Sequence, residues 1–256
     1  MMEWWQILLI VLGSLLLLFI LSIVFYKQFF KRFWDIVLSG LALIVLSPIL
    51  LILMVVGVIA MGGNPFFTQK RPGKKDKNGN ERIFKLIKFR TMSNKKDDSG
   101  NLLPDELRLN KYGKFLRSTS LDELPELLNI FVGNMSVIGP RPQLVRDMVF
   151  MTEQQRHRHD IRPGLSGLAQ VNGRNNITWE QKFEYDLEYI KRITLFGDIC
   201  LILKTTFKVF KRVDTVREGT ESDIDFGDWL LQEGKVNREE YDSKQKKAKM
   251  ILGVRQ

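Results

Sequence analysis

Two long apolar runs fill the first quarter of this chain, and what flanks them restricts where the rest can fold. Residues 7–26, Ile7 to Tyr26, are apolar apart from Ser14 and Ser22, and about 20 such residues span the hydrocarbon core of a bilayer as a helix. A cleaved signal peptide would need a basic start, a shorter apolar stretch and a small-residue cleavage site. Glu3 stands at the start instead, so the segment is expected to stay as an anchor. Lys27, Lys31 and Arg32 follow it, which places that end on the cytoplasmic side. The second run, Ile36 to Met61, follows Trp34 and Asp35 and is also long enough to cross. Its near flank carries Lys31 and Arg32, and its far flank Lys70, Arg71, Lys74, Lys75 and Lys77. Both ends therefore favour the cytoplasm. A helix that enters the bilayer, turns and leaves by the same face satisfies both, whereas an ordinary kinked span satisfies one. Ser47-Pro48 lies at the midpoint. Pro48 removes a backbone hydrogen bond and bends the helix, and the carbonyl it frees needs a partner where there is no water, with the Ser47 hydroxyl at hand.

The remaining composition agrees with a membrane surface. The 256 residues allow about one domain with appendages, and the net charge of +10 lies beyond residue 30, since only Glu3 and Lys27 are charged before it. Such an excess favours anionic partners, and the apolar segments put lipid and phosphorylated substrates ahead of nucleic acid. A single cysteine, Cys200, excludes an internal disulfide. His157 and His159 are the only histidines, too few for a zinc site without cysteine partners.

From Asn64 onward the pattern is that of a compact α+β domain. Residues 65–69 and 82–90 form expected strands, the second alternating apolar and basic residues. Pro72-Gly73 and Asn78-Gly79-Asn80 between them are turn formers, giving a hairpin. Residues 93–105 form a polar loop, helices are expected at about 105–117, 123–132, 142–158 and 178–192, and residues 161–176 form an ordered loop. Asp198 to Val213 places Ile199, Ile202, Leu203, Phe207 and Phe210 at helical spacing with Lys204, Lys208, Lys211 and Arg212 between them. Such a helix fits an anionic lipid surface and equally a core-packed helix with a solvated basic face. The tail after 220 turns acidic and then lysine-rich, and Trp229 to Tyr241 suggests a two-helix hairpin.

The chemistry concentrates in Arg117-Ser-Thr-Ser-Leu-Asp122-Glu123-Leu-Pro125-Glu126 and in Gly139-Pro140-Arg141-Pro142. Asp122 and Glu123 have a structural explanation, because acidic residues collect at helix starts and Ser120 and Glu123 have capping-box spacing. Pro125 opposes it: with Ser120 as cap, the proline would be the fifth helical residue, where an amide hydrogen is already needed. A start at Leu121 or Asp122 places Pro125 in the first turn and Asp122 at the positive end, which favours its ionised form. An ionised carboxylate is what a nucleophile at phosphorus must be. Arg117 precedes it by five residues, and Arg141 is stiffened by prolines on both sides, a way to pre-position a guanidinium for phosphate. Phosphoryl transfer also needs a cation; Mg²⁺ is usually held by one or two carboxylates with substrate phosphate, and Glu123 is available.

These residues resemble the monotopic phosphoglycosyl transferases, the bacterial sugar transferase family, over about Lys31 to Asp214. The matching blocks are Lys31-Arg32, Ser47-Pro48, Lys88-Phe-Arg90-Thr-Met92, Arg117 to Leu128, Gly133 to Pro142, and Arg162-Pro-Gly-Leu-Ser-Gly-Leu-Ala-Gln170-Val-Asn-Gly-Arg174. The resemblance implies an enzyme of the bacterial cell membrane, its catalytic domain on the cytoplasmic face, that moves a phosphosugar from a UDP-sugar to polyprenol (undecaprenyl) phosphate and starts surface-glycan assembly. It makes Asp122 the nucleophile at the β-phosphate, with UMP leaving, Glu123 the Mg²⁺ ligand, and Arg117 and Arg141 the phosphate holders. Arg90, Gln170 and Arg174 fall in blocks expected to line the nucleotide-sugar pocket. The expected divisions are an anchor (1–30), a re-entrant helix (31–62), a transferase domain (63–214) and a tail (215–256). The tail resembles small C-terminal modules called SHOCT domains, which implies homo-oligomerisation. Two competing functions stay open on the residues alone: a membrane-tethered basic binding protein, and a glycosyltransferase that releases UDP.

Overall fold

The computed structural model describes residues 3–173, 177–211 and 224–253. Helix α1, Trp4–Val24, is exposed along nearly all its length and is long and apolar enough to cross a membrane. A π-helical turn, Tyr26–Phe30, leads into α2, Lys31–Val45, which breaks at Leu46 into α3, Ser47–Met61, with a bend of 64°. The break is resolved as its chemistry requires. Pro48 cannot donate to the carbonyl four residues back, and the Ser47 hydroxyl donates to that same Ile44 oxygen at 2.7 Å.

Both arms of this bent pair are fastened to one domain. At the start of α2, Arg32 donates to the carbonyls of Ile130 (2.6 Å) and Phe131 (2.8 Å). One turn later, buried Asp35 accepts from Ser136 Oγ at 2.9 Å and Val137 N at 2.8 Å. On the returning arm, Tyr112 Oη donates to the Leu53 carbonyl (2.7 Å) and Asn110 Nδ2 to that of Ala60 (2.9 Å). Lys31 and Tyr26 meet buried Asp198 Oδ2 at 2.5 and 2.7 Å, while Tyr189 donates to Asp198 Oδ1 at 2.7 Å.

The domain is α+β. Strands β1, Phe66–Lys75, and β2, Glu81–Phe89, form an antiparallel hairpin. Its turn is at Asp76–Asn80, with Gly79 at φ +81°. Pro72-Gly73, read from sequence as a turn, lies inside β1 where the register shifts between Pro72 and Lys75, a place where proline's missing N–H is tolerated. Helix α4, Lys111–Thr119, precedes a 3₁₀ turn, Leu121–Glu123, and α5, Glu126–Val132. Strands β3, Ser136–Ile138, and β4, Gly164–Ser166, pair in parallel. The expected helix over 142–158 is instead a series of short turns, Val145–Met148, Glu153–Arg156 and His157–Asp160, because Asp147 and Thr152 each use local side-chain bonds to restart the backbone. Helices α6, Trp179–Lys191, α7, Leu195–Lys211, α8, Phe226–Gln232, and α9, Arg238–Leu252, complete the chain.

Helix α7 has two apolar faces. Asp198 and Leu201 are buried against the domain, whereas Phe196, Ile199, Leu203 and Phe207 are exposed. An outward row of large apolar residues beside exposed Lys204 suits a lipid interface.

Candidate active site

Helix α5 is laid along the free edge of β2 by one side chain. The buried amide of Asn129 accepts from Ile87 N (3.0 Å) and donates to the Lys85 carbonyl (2.8 Å), acting as a short stretch of strand. Leu127 and Ile130 pack beneath it on Phe84, Leu86 and Met135. This seating carries the acidic run 122–126 over the end of β2, so that Lys88 Nζ lies 2.8 Å from Glu123 Oε1 and 3.1 Å from Glu126 Oε1.

The capping-box explanation for the acids does not hold. Ser120 has φ +57°, ends α4 in the left-handed conformation, and its side chain caps nothing. Asp122 and Glu123 ride on the 3₁₀ turn, and Pro125 takes the N-cap place of α5, where its missing hydrogen is harmless.

Arg141 is fixed by two glycine-bearing segments in backbone contact. Gly139 N donates to Ser166 O (2.8 Å) and Gly164 N to Pro140 O (2.9 Å). A Cβ on Gly164 would lie 2.1 Å from Gly139 N, so only glycine allows this approach. Arg158, 2 % exposed, donates to the Arg141 carbonyl at 2.7 Å and to Asp186 at 2.6 and 3.0 Å. Held this way, Arg141 Nη2 reaches Glu123 Oε1 at 2.7 Å.

A cleft of about 690 Å³ gathers these groups, with Asp122, Glu123, Arg117, Arg141, Arg90 and Gln170 all in its lining. Thr91 and Met92 hold Arg117, at 3.1 Å from Nε and 2.9 Å from Nη2 respectively. Arg90 donates to Phe66 O at 3.3 Å and Gln170 to Leu165 O at 3.0 Å. Arg174 lies outside the described residues. Five wall cations escaped sequence reasoning: Lys88, Arg71, Arg108, Arg158 and Lys182. Lys88 begins the Lys88-Phe-Arg90-Thr-Met92 segment, but its alternation with apolar residues reads as a solvated strand face. Arg158 sits in a charged run, Arg156-His-Arg-His-Asp160, that reads as surface.

The carboxylates differ in electrostatics. Burial and then the neighbouring Glu123 charge raise the Asp122 pKa to about 6, against the pull of Lys88, Arg141 and Arg117. Helix-end stabilisation is therefore not what sets its charge, although it is still mostly ionised at neutral pH. Burial also opposes ionisation of Glu123, but Arg141 and Lys88 outweigh it and hold its pKa far below the usual range. Glu126, 2 % exposed, is raised to about 7 by burial and the Glu123 charge. The result is one permanently charged carboxylate tied to two cations beside another available for chemistry. Among the described residues no group of three or more His, Cys, Asp or Glu could hold a metal alone. An ion shared with ligand phosphates needs only one or two protein carboxylates, and Glu123 in the cleft wall is such a group.

A second, mostly apolar cavity of about 350 Å³ adjoins the cleft and shares Ser120, Glu123 and Gln170 with it. Ala42 of α2 and Leu46 at the break line it, as do Leu127, Ile202 and Val209, so it lies between the bent helix pair and α7.

The family described as bacterial sugar transferase matches residues 26–212. The sugar transferase EpsL of Bacillus subtilis is 44% identical over 179 residues, 70% of this chain and 86% of that protein. The UDP-glucose:undecaprenyl-phosphate glucose-1-phosphate transferase of Klebsiella pneumoniae is 40% identical over 195 residues, 71% of this chain but 40% of that longer protein. The exopolysaccharide production protein ExoY of Rhizobium meliloti is 33% identical over 192 residues, 68% of this chain and 83% of that one.

Proposed function

The chain belongs to the bacterial sugar transferase family, and from that premise we propose that it transfers a sugar 1-phosphate from a UDP-sugar to polyprenol phosphate through a covalent intermediate on Asp122. The observation that carries this reading is the pairing of a half-buried Asp122, its pKa at about 6, with a Glu123 locked between Lys88 and Arg141. In the first step a carboxylate oxygen of Asp122 attacks the β-phosphorus. The bond from that phosphorus to the bridging oxygen breaks, and UMP leaves with the electron pair. In the second step a phosphate oxygen of the lipid attacks the same phosphorus and displaces Asp122, which returns as carboxylate. Arg117 and Arg141 neutralise the charge that accumulates on the phosphates. Arg90 and Gln170 line the donor pocket. Glu123 would hold Mg²⁺ together with the donor diphosphate, and the ion supplies charge neutralisation when bound.

A covalent intermediate lets a soluble donor and a lipid acceptor use one site in turn. Both arms of the bent pair are fastened to the same domain, which supports a re-entrant helix on the cytoplasmic face rather than a crossing. The apolar cavity between that helix and α7 meets the cleft at Glu123, in the right place for the acceptor's hydrocarbon beside its reacting phosphate. Membrane association with α1 as anchor completes the scheme.

The test is incubation with a panel of UDP-sugars and polyprenol phosphate. UMP and a lipid diphosphate-sugar are expected. Release of UDP would assign the chain to the sugar-only transferases instead.

A further inference from the structure

The family match ends at residue 212, yet the cleft does not. Asp225, immediately before α8, is part of its wall. The tail expected to mediate assembly is seated on its own domain through several independent contacts. Trp179 Nε1 donates to the Ile224 carbonyl at 3.2 Å, and Phe226 N donates to buried Asp147 Oδ1 at 3.0 Å. The Phe226 ring lies 5.1 Å from Trp179 and 5.0 Å from Phe183. Gly227 is pressed on Phe150, where an added Cβ would come within 2.6 Å of the ring. At the far end of α9, Ala248 is buried against Val145 and Met148, and Lys70 Nζ donates to Leu252 O at 2.6 Å.

This seat has a chemical consequence. Around Asp122 the cleft presents cations, the complement of phosphate. Farther along, its lining includes Trp179, with Lys182 Nζ 4.6 Å from the ring centroid, and Asp147 and Asp225, with Asp225 paired to Arg146. A carboxylate fixed by an arginine next to an indole is a hydroxyl-recognising arrangement, since the carboxylate accepts two hydrogen bonds from a vicinal diol. We infer that the C-terminal helices complete the donor site, and that Asp225 recognises sugar-ring hydroxyls of the UDP-sugar, either on the ribose or on the transferred sugar. Asp225 is thus a specificity-determining residue supplied from outside the family's common region. The inference rests on the proposed UDP-sugar chemistry.

The test uses the full-length protein, with UMP release by the unaltered enzyme as the check on that underlying reading. In Asp225→Ala the KM for UDP-sugar should rise about tenfold, while kcat and the KM for polyprenol phosphate change less than twofold. Ribose recognition weakens product inhibition by UMP in parallel; recognition of the transferred sugar leaves it unchanged. Tryptic release of the lysine-rich α9 reports whether the helices stay seated. If they come loose in the alanine variant, Asp225→Asn keeps the shape and should raise the donor KM in the seated protein. An unchanged donor KM with seated helices overturns the inference, as does an equal rise in donor and acceptor KM.

Discussion

Replacing Asp122 with asparagine should stabilise the protein while abolishing its turnover. Folding moves the Asp122 carboxyl from its ordinary 3.8 to about 6, so the charged form is disfavoured in the folded state. Two pKa units correspond to about 3 kcal/mol, and because the residue is only half-buried a share of ~1–2 kcal/mol is expected after solvent screening. The direction follows from linkage. A carboxyl whose pKa is raised by folding binds its proton more tightly in the folded state, so stability falls as pH rises from about 4 to 6 and the cost is fully present above that window. Asp122→Asn removes the cost. Thermal unfolding in detergent at pH 8 should therefore show a gain of about 3–6 °C for a protein of this size, shrinking towards zero near pH 4. A variant less stable than the unaltered protein at pH 8, or an offset that does not change with pH, would refute the assignment. The same titration governs the chemistry: UMP formation without acceptor should fall about tenfold from pH 7 to pH 5, as the ionised fraction drops from about nine tenths to one tenth.

Other expectations concern the groups around it. Glu123→Gln should abolish UMP release yet fold, and chelation of divalent cations should stop the unaltered enzyme until Mg²⁺ is restored; activity surviving chelation would remove the metal from the scheme. Lys88→Met should lower turnover at least a hundredfold and cost about 2–3 kcal/mol of stability, at the low end for a broken buried pair because Glu126 can take up a proton. With Cys200 replaced by serine, single cysteines placed at 27–32 and at 70–77 should both label from the cytoplasmic side, and labelling from opposite sides would contradict the re-entrant helix.

How much of this was legible in the sequence depends on range. The Ser47-Pro48 break could be derived because the freed carbonyl and the hydroxyl that satisfies it lie three residues apart. The hairpin turn at Asn78-Gly79 and the helix expected at 178–192 lie where local pattern put them, and the two-helix hairpin expected over Trp229 to Tyr241 extends further, as Phe226–Gln232 and Arg238–Leu252. Asp122, Glu123, Arg117 and Arg141 stood out as acids between arginines, and the cleft gathers them. Lys88, Arg71 and Arg158 did not, because their burial is decided by partners far along the chain. Lys88 meets acids 35 and 38 residues on only because Asn129 docks α5 on the strand edge. The raised pKa of Asp122 was hidden for the same reason: sequence supplied the favourable helix end, while burial and the neighbouring charge were matters of packing. The seat of the tail was likewise invisible, since the aromatic residues that hold Phe226 come from 150, 179 and 183.

The covalent role of Asp122 is the centre of the account, and intact-protein mass spectrometry tests it most directly. Incubated with its UDP-sugar in the absence of lipid acceptor, the protein should gain the mass of one phosphosugar, located on the peptide that carries Asp122, and lose it on addition of polyprenol phosphate. UMP formation that requires the acceptor, with no adduct at any time, would contradict the account.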